Sequence, residues 1–511
     1  MSERETRFRS NRLLAILALV SILAPAAALR ARADAELRAG ANRITEERLR
    51  EHVETLADPE LEGRGNGSEG AQQAARYIES QFKAIGLDPA GTDGYLHGFR
   101  VYSGVRVEGV IGLRDNSRGY EFNKDYTPLG FSDDGKQIAP LAFVGYGVSA
   151  PELGYDDYAG VDVAGKFVLA FLGEPGMRDS DSIFDGIAQT VHSDLYRKAE
   201  VARSHGAAGL LLCPGPLYAK DPDRVWRISA DVGYRNAGLL VAQLTSSAAA
   251  AMVSAADLDL SEAQEEIDRT HQPRSFVIVD QQVELMVKLR RLETRMSNIV
   301  GKLAGRSDEG IVLLANYDGF GMGNDNSNPM IHSSANFNAT GVAALLEIAR
   351  AMKAMPQTEK TIYFAAVSGQ RLSSVGAESL VREDVISTGS VACAINMFAL
   401  GKSTAKRLEI FGTGSGEGLH ELMGKVNGEV AEPVELRLDR EISRTGDHIP
   451  FHLAGASALT FFGGAFDEYG TPADLATIVQ FRDLTRNARY IYSVVQTLAK
   501  MEGPIAVAPA E

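Results

Sequence analysis

The sequence predicts an α/β fold: a mostly parallel mixed sheet sandwiched by helices, with an inserted, mostly-β segment. Three observations carry this expectation. From residue 297 on, short apolar runs rich in β-branched residues alternate with runs of helical period, and such alternation builds a largely parallel sheet covered on both faces. Between about residues 106 and 289 the texture changes to strands separated by turn-rich stretches. The chain of 511 residues, 45 % hydrophobic and 23 % charged, is too long for one core and ordinary in composition for a globular protein.

The elements follow in order. Arg4, Arg7, Arg9 and Arg12 precede "LLAILALVSILAPAAAL", and "ARADA" then offers Ala-x-Ala sites. That is the three-part pattern of a secretory signal peptide. Pro25 and Arg30 cut the apolar run short of the roughly 20 residues a spanning helix needs. Residues 1–35 are therefore expected to be removed, leaving an exported chain, periplasmic or extracellular, that is not an integral membrane protein. Cys213 and Cys393 both sit in strand-like apolar runs and read as buried, unpaired thiols.

Residues 40–105 open the main domain. "ITEERLREHVETLA" places Leu49, Val53 and Leu56 on one face behind Thr45 as N-cap. "SEGAQQAARYIESQFKAIGL" repeats apolar residues at Ala71, Ala74, Ala75, Ile78, Phe82 and Ile85, with Ser68 to start the helix and Gly86 to end it. In the insert, residues 106–289, "LAFVGYGVSA" and "GKFVLAFLGEPG" read as strands, and the helix "SDLYRKAEVARSHG" leads into "AAGLLLC". Residues 290–505 return to the main domain with four apolar strands: "GIVLLANYD", "TIYFAAVSG", "SVACAINMF" and "ASALTFFGG". Open α/β sheets bind ligands outside the carboxyl ends of their strands. There these strands deliver "NYDGFG", "SGQR", "MFALG" and "GGAF…YGTP".

The chain resembles the M28 family of di-zinc aminopeptidases, in the subgroup with an inserted protease-associated (PA) domain. "LADPELEGRGNGSEGAQQAARYIESQFKAIGLDPAG", "FVGYGVSAPELGYDDYAGVDVAGKFVLAF", "ANFNATGVAALLEIARAM" and "GDHIPFHLAGASALTFF" carry the likeness. The resemblance implies two zinc ions, and the residues at the implied positions do not suit them. Asn316 stands where the family's "HYD" has its histidine. Asn336 stands in "ANFNATG" at the place of the bridging aspartate of "ADDNASG". Gln370 and Arg371 replace the "EE" pair, the general base and the next ligand. Phe398 replaces the aspartate of "NLDMIG", and Gly470 the histidine of "YHTP".

Zinc takes imidazole, thiolate or carboxylate donors, and Gln370 cannot accept a proton from water. The expected protein is thus an M28-like homologue without cofactor or catalytic residue, an exported binder of a peptide or protein. The alternative is an active metallo-aminopeptidase with an atypical metal site. Asp318, Asp447, His448 and Arg371 remain as binding candidates. The Arg371 cation must be paired with an internal carboxylate such as Asp318 or Asp447, or reserved for a ligand's carboxylate. Of these, the internal ion pair is the expected arrangement. Ser415 in "GTGSGEG" is no nucleophile elbow, since Thr413 and Glu417 break the Gly-x-Ser-x-Gly pattern. A net charge of −15 argues against nucleic acid as a partner.

Overall fold

The computed structural model describes residues 35–179, 182–184, 186, 190–218, 221–225, 236–256, 258–325, 328–503 and 505–507. The expected leader, residues 1–35, lies outside them but for Ala35. The chain divides into two compact units, Met1–Arg100 with Arg295–Glu511, and Val101–Thr294. Among the described residues no helix is long and apolar enough to cross a membrane.

In the first unit, helix α1 (Glu46–Leu56) begins where Thr45 Oγ1 accepts the Arg48 amide at 3.4 Å, and it buries Leu49, Val53 and Leu56. Helix α2 (Glu69–Ile85) begins under Ser68, whose Oγ accepts the Ala71 amide at 3.1 Å. It ends at Gly86, φ 80°, a left-handed position that glycine occupies without strain. Its buried face is Ala71, Ala74, Ala75, Ile78 and Phe82, with Ile85 at the margin.

The main sheet uses β1 (Asp88–Pro89), β2 (Leu289–Leu303), β3 (Gly310–Asn316), β4 (Thr361–Val367), β5 (Val391–Phe398), β6 (Leu408–Phe411), β7 (Leu436–Leu438) and β8 (Ser457–Phe462). Their order is β1-β2-β4-β3-β5-β8-β6-β7. Strands β4, β3, β5 and β8 run parallel to one another, whereas β2 and β6 enter antiparallel. Alternation along β3 decides what covers each face. Ile311, Leu313 and Ala315 join the core under α1, α2, α3 (Thr340–Lys353) and the long C-terminal helix Phe481–Lys500. Val312 and Leu314 face the other way, into a core shared with Ala377, Leu380 and Phe451. The four parallel strands therefore end together, at Asn316, Val367, Phe398 and Phe462.

The second unit is built on a mixed sheet. Its parallel centre is Gly135–Val144, Phe167–Phe171, Gly209–Cys213 and Leu240–Leu244, and antiparallel strands flank it on both sides. Helices Leu195–Ser204, Ser246–Val253 and Leu260–Thr270 accompany the sheet. Both cysteines are free and buried.

Candidate functional site

The common edge of the four parallel strands is closed by amides. Asn338 holds its centre: Nδ2 donates to Asn316 Oδ1 at 3.0 Å and to the Met397 carbonyl at 2.9 Å. Its Oδ1 accepts the Gly341 and Ala399 amides at 3.2 and 3.0 Å. Asn316 passes its own Nδ2 to the Asp318 carbonyl at 3.1 Å. Asn336 turns away toward the loop after β5, where Oδ1 accepts the Gly401 amide at 2.9 Å and Nδ2 donates to the Lys402 carbonyl at 3.3 Å. The Asp474 carboxylate accepts the amides of Asn336 at 2.7 Å and Phe337 at 3.1 Å, pinning this turn from 138 residues away. Each asparagine is fully buried and bonded to neighbours, so none presents a lone pair outward.

Above the amides lies an aromatic cluster. Phe337 is buried among Phe320, Phe398 and Tyr469, at centroid distances of 5.2, 4.9 and 5.0 Å. Phe398 continues to Phe462 at 5.5 Å, and Tyr469 meets Phe320 at 5.5 Å, nearly perpendicular. Gly470 sits under Phe320 with φ 70°. A Cβ there would lie 3.2 Å from the tip of the ring, so a side chain at 470 would have to push Phe320 back by a few tenths of an ångström. Sequence reasoning missed the roles of Phe337 and Phe320. Their only signal was an aromatic in "ANFNATG" and in "NYDGFG", next to positions read for metal.

Two carboxylic acids are buried beside this edge. Asp318 Oδ1 accepts the Gly369 amide at 3.2 Å, while Oδ2 has no partner. Burial pushes its pKa up to about 6, against the pull of those backbone bonds, Arg64 and Arg371. Neither oxygen of Asp447 has a partner in bonding geometry. Burial and repulsion from Asp318 push its pKa up to about 7, with the Ser374 hydroxyl opposing. Arg64, fully buried, donates to the carbonyls of Leu56, Tyr317, Ser333 and Ser334. Burial lowers its pKa to about 10, with Asp318 and Asp474 holding it up.

Arg371 departs from the expected internal ion pair. Among the described residues no carboxylate lies within 4 Å of it and it makes no hydrogen bond; its guanidinium carbon instead sits 4.1 Å over the Phe320 ring. The side chain is exposed, on a turn after β4 that holds Gly369, Ser373 and Ser374 at positive φ. Gln370 is half-buried; its carbonyl accepts the Ser374 amide, and its side chain has no partner among the described residues.

His448 is likewise not available to a ligand. Thr460 Oγ1 donates to Nδ1 at 3.1 Å, Nε2 donates to the Ser443 carbonyl at 3.1 Å, and burial lowers the ring's pKa to about 4. It is a neutral brace. Ser415 is spent on the Gly412 and Ala458 carbonyls at 2.7 and 2.9 Å.

A metal does not fit the donor set at Asn316, Asn336, Arg371, Phe398 and Gly470. Those residues offer amides already bonded, a cation, a ring and no side chain. Among the described residues no three His, Cys, Asp or Glu side chains gather as a metal would need.

Comparison with known proteins bears on residues and fold. Residues 298–495 match the sequence profile of Peptidase family M28. A probable zinc metalloprotease of Phaeosphaeria nodorum is 28% identical over 213 residues, covering 32% of this chain. The chain spans only 42% of the length of that relative. Among solved structures, an aminopeptidase from Aneurinibacillus sp. strain AM-1 superposes with TM-score 0.55 at 18% identity, covering 94% of this chain and 98% of its own. A zinc aminopeptidase from Bacillus subtilis gives TM-score 0.49 at 18% identity, over 91% and 98%. The first of these likenesses shows the fold.

Proposed function

We propose that the chain is an exported M28-like peptidase homologue that does not hydrolyse peptides and instead binds a peptide or protein at the end of its parallel strands. The PA-like reading of the inserted segment and the export of the chain belong to the same proposal. One observation supports the loss of catalysis above the rest: the place of the family's last histidine is Gly470, and Phe320 fills the space in front of it. A bound water there would also lack a base, since Gln370 has no proton-accepting group of the needed strength.

The competing reading is an active metallo-exopeptidase with an atypical site. It has Asp318 and Asp447 to draw on, with three unpartnered oxygens between them. No third donor of the right type joins these two among the described residues. The test is hydrolysis of aminoacyl p-nitroanilides by the purified chain, with and without added zinc, alongside elemental analysis. Zinc-dependent turnover abolished by chelation would overturn the proposal.

A further inference from the structure

We propose that Arg371, held on Phe320 beside Tyr469, is a clamp for the C-terminal carboxylate of a peptide whose last side chain is apolar. This rests on the non-catalytic binding reading and names the ligand class for the same site.

The guanidinium itself is unspent. A guanidinium carries five N–H donors in a fixed fork that matches a carboxylate edge to edge. In Arg371 none of them has a partner among the described residues. Its guanidinium carbon sits 4.1 Å over the Phe320 ring centroid, a cation–π contact that uses none of the N–H groups as a hydrogen-bond donor to another side chain or carbonyl. The ring contact favours one placement of the side chain, and holding a side chain in place before binding lowers the entropy cost.

Charge points the same way. Several of the charged groups nearby are engaged or enclosed. Asp474 accepts backbone amides, Lys402 binds Glu468 at 2.5 Å, and Asp318 and Asp447 are completely buried. Among the described residues of this edge, Arg371 is the exposed cation left over, in a chain of net charge −15. An ammonium terminus would be repelled here, and a carboxylate attracted.

The surface around the cation is apolar. Phe320 and Tyr469 meet nearly at right angles, and Tyr469 is 48% exposed. Met322, two residues beyond Phe320, is 49% exposed. An apolar side chain next to the carboxylate has ring edges to cover it. Under the rings the floor is shut: the asparagine amides are consumed and Gly470 is capped by Phe320. A peptide chain reaching Arg371 has no route onward through that floor, which favours an end over a through-running segment.

The test uses the full mature chain and two fluorescent-labelled peptides of sequence Ala-Ala-Phe, one with a free C-terminal carboxylate and one amidated, compared by anisotropy. The acid is expected to bind about tenfold more tightly than the amide. Arg371→Gln should erase that difference, Arg371→Lys should restore part of it, and Tyr469→Ala should weaken both peptides alike. Thermal melts of the variants check folding. Equal binding of acid and amide, an acid preference surviving in Arg371→Gln, or no binding of either peptide by folded protein overturns the clamp. Failure of the underlying reading looks different: the labelled peptide is cleaved, or zinc is found in stoichiometric amount. A preference for the acid that disappears in Arg371→Gln supports the clamp even then.

Discussion

Replacing Asp447 by asparagine should make the protein more stable at alkaline pH, because Asp447 is buried without a partner for either oxygen. Its pKa rises from 3.8 to about 7 in the folded chain. A raised carboxyl pKa means the folded state binds the proton more tightly than the unfolded one. The associated stability is fully present below about pH 4 and is lost as pH rises through about 7. A rise of about three, at about 1.36 kcal/mol for each tenfold change in proton affinity, bounds the loss near 4 kcal/mol. Repulsion from Asp318 contributes to the rise, so the two sites share it and about 2–4 kcal/mol is the working range. The substituted amide keeps the shape, carries no charge, and can donate to the Ser374 hydroxyl. The assay is chemical unfolding of wild type and Asp447→Asn at pH 5 and pH 8. Other carboxylates and the net charge also move with pH, so the readout is the difference between the proteins at each pH. The variant should gain relative to wild type from pH 5 to pH 8. A constant difference across that range, or a variant less stable at pH 8, would refute the assignment of an unpartnered buried acid.

Gly470→His should cost at least about 1–2 kcal/mol from the left-handed φ alone, with the Phe320 clash added, and should recruit no zinc. In a Phe320→Ala background Gly470→His should cost less than it does in wild type, a coupling that a double-mutant cycle of melts reads directly. Asn338→Asp removes two donated hydrogen bonds and buries a charge, and should cost about 2–4 kcal/mol in urea unfolding. Wild-type protein dialysed against EDTA should keep its melting midpoint and hold less than roughly 0.1 zinc per chain; a large fall in midpoint would mean a structural divalent ion.

Local signals were legible because they depend on neighbours in sequence. Thr45 and Ser68 cap where a hydroxyl precedes an apolar period, and the parallel strands show as β-branched runs. The residue types at the strand ends were equally legible. What those residues do was not. Asn336 stands next to the site in sequence, yet Gly401 holds its side chain aside and Asp474 its backbone amide, and both lie more than 60 residues away. Nothing in "LEGRGNG" singles out Arg64, because its four carbonyl partners come together only when residues 56, 317, 333 and 334 meet. The expected Arg371 ion pair failed for a related reason. Strand ends predict where a residue emerges, not which way a turn with three positive-φ positions will aim it.

The residues at the strand ends make sense as one electrostatic set. Several carboxylates and imidazoles converging on a space without a cation could not stay buried as charges, because their mutual repulsion and desolvation would go uncompensated. Amides that donate and accept in equal number can be buried at no charge, and the Asn316–Asn338 pair does so while tying β3 to the loop after β5. Rings can fill the remaining volume, as Phe320 does over Gly470 and Phe337 does between Phe398 and Tyr469. Two acids outside that set persist, Asp318 and Asp447, and their raised pKa values are the residual strain of charge in a neutralised floor. The buried guanidinium of Arg64 offsets part of it, and Arg371 offsets a further part from the surface. Because Arg371 does so at a distance and not by contact, its N–H groups stay uncommitted, and the same residue can balance Asp318 beneath and hold an anion above.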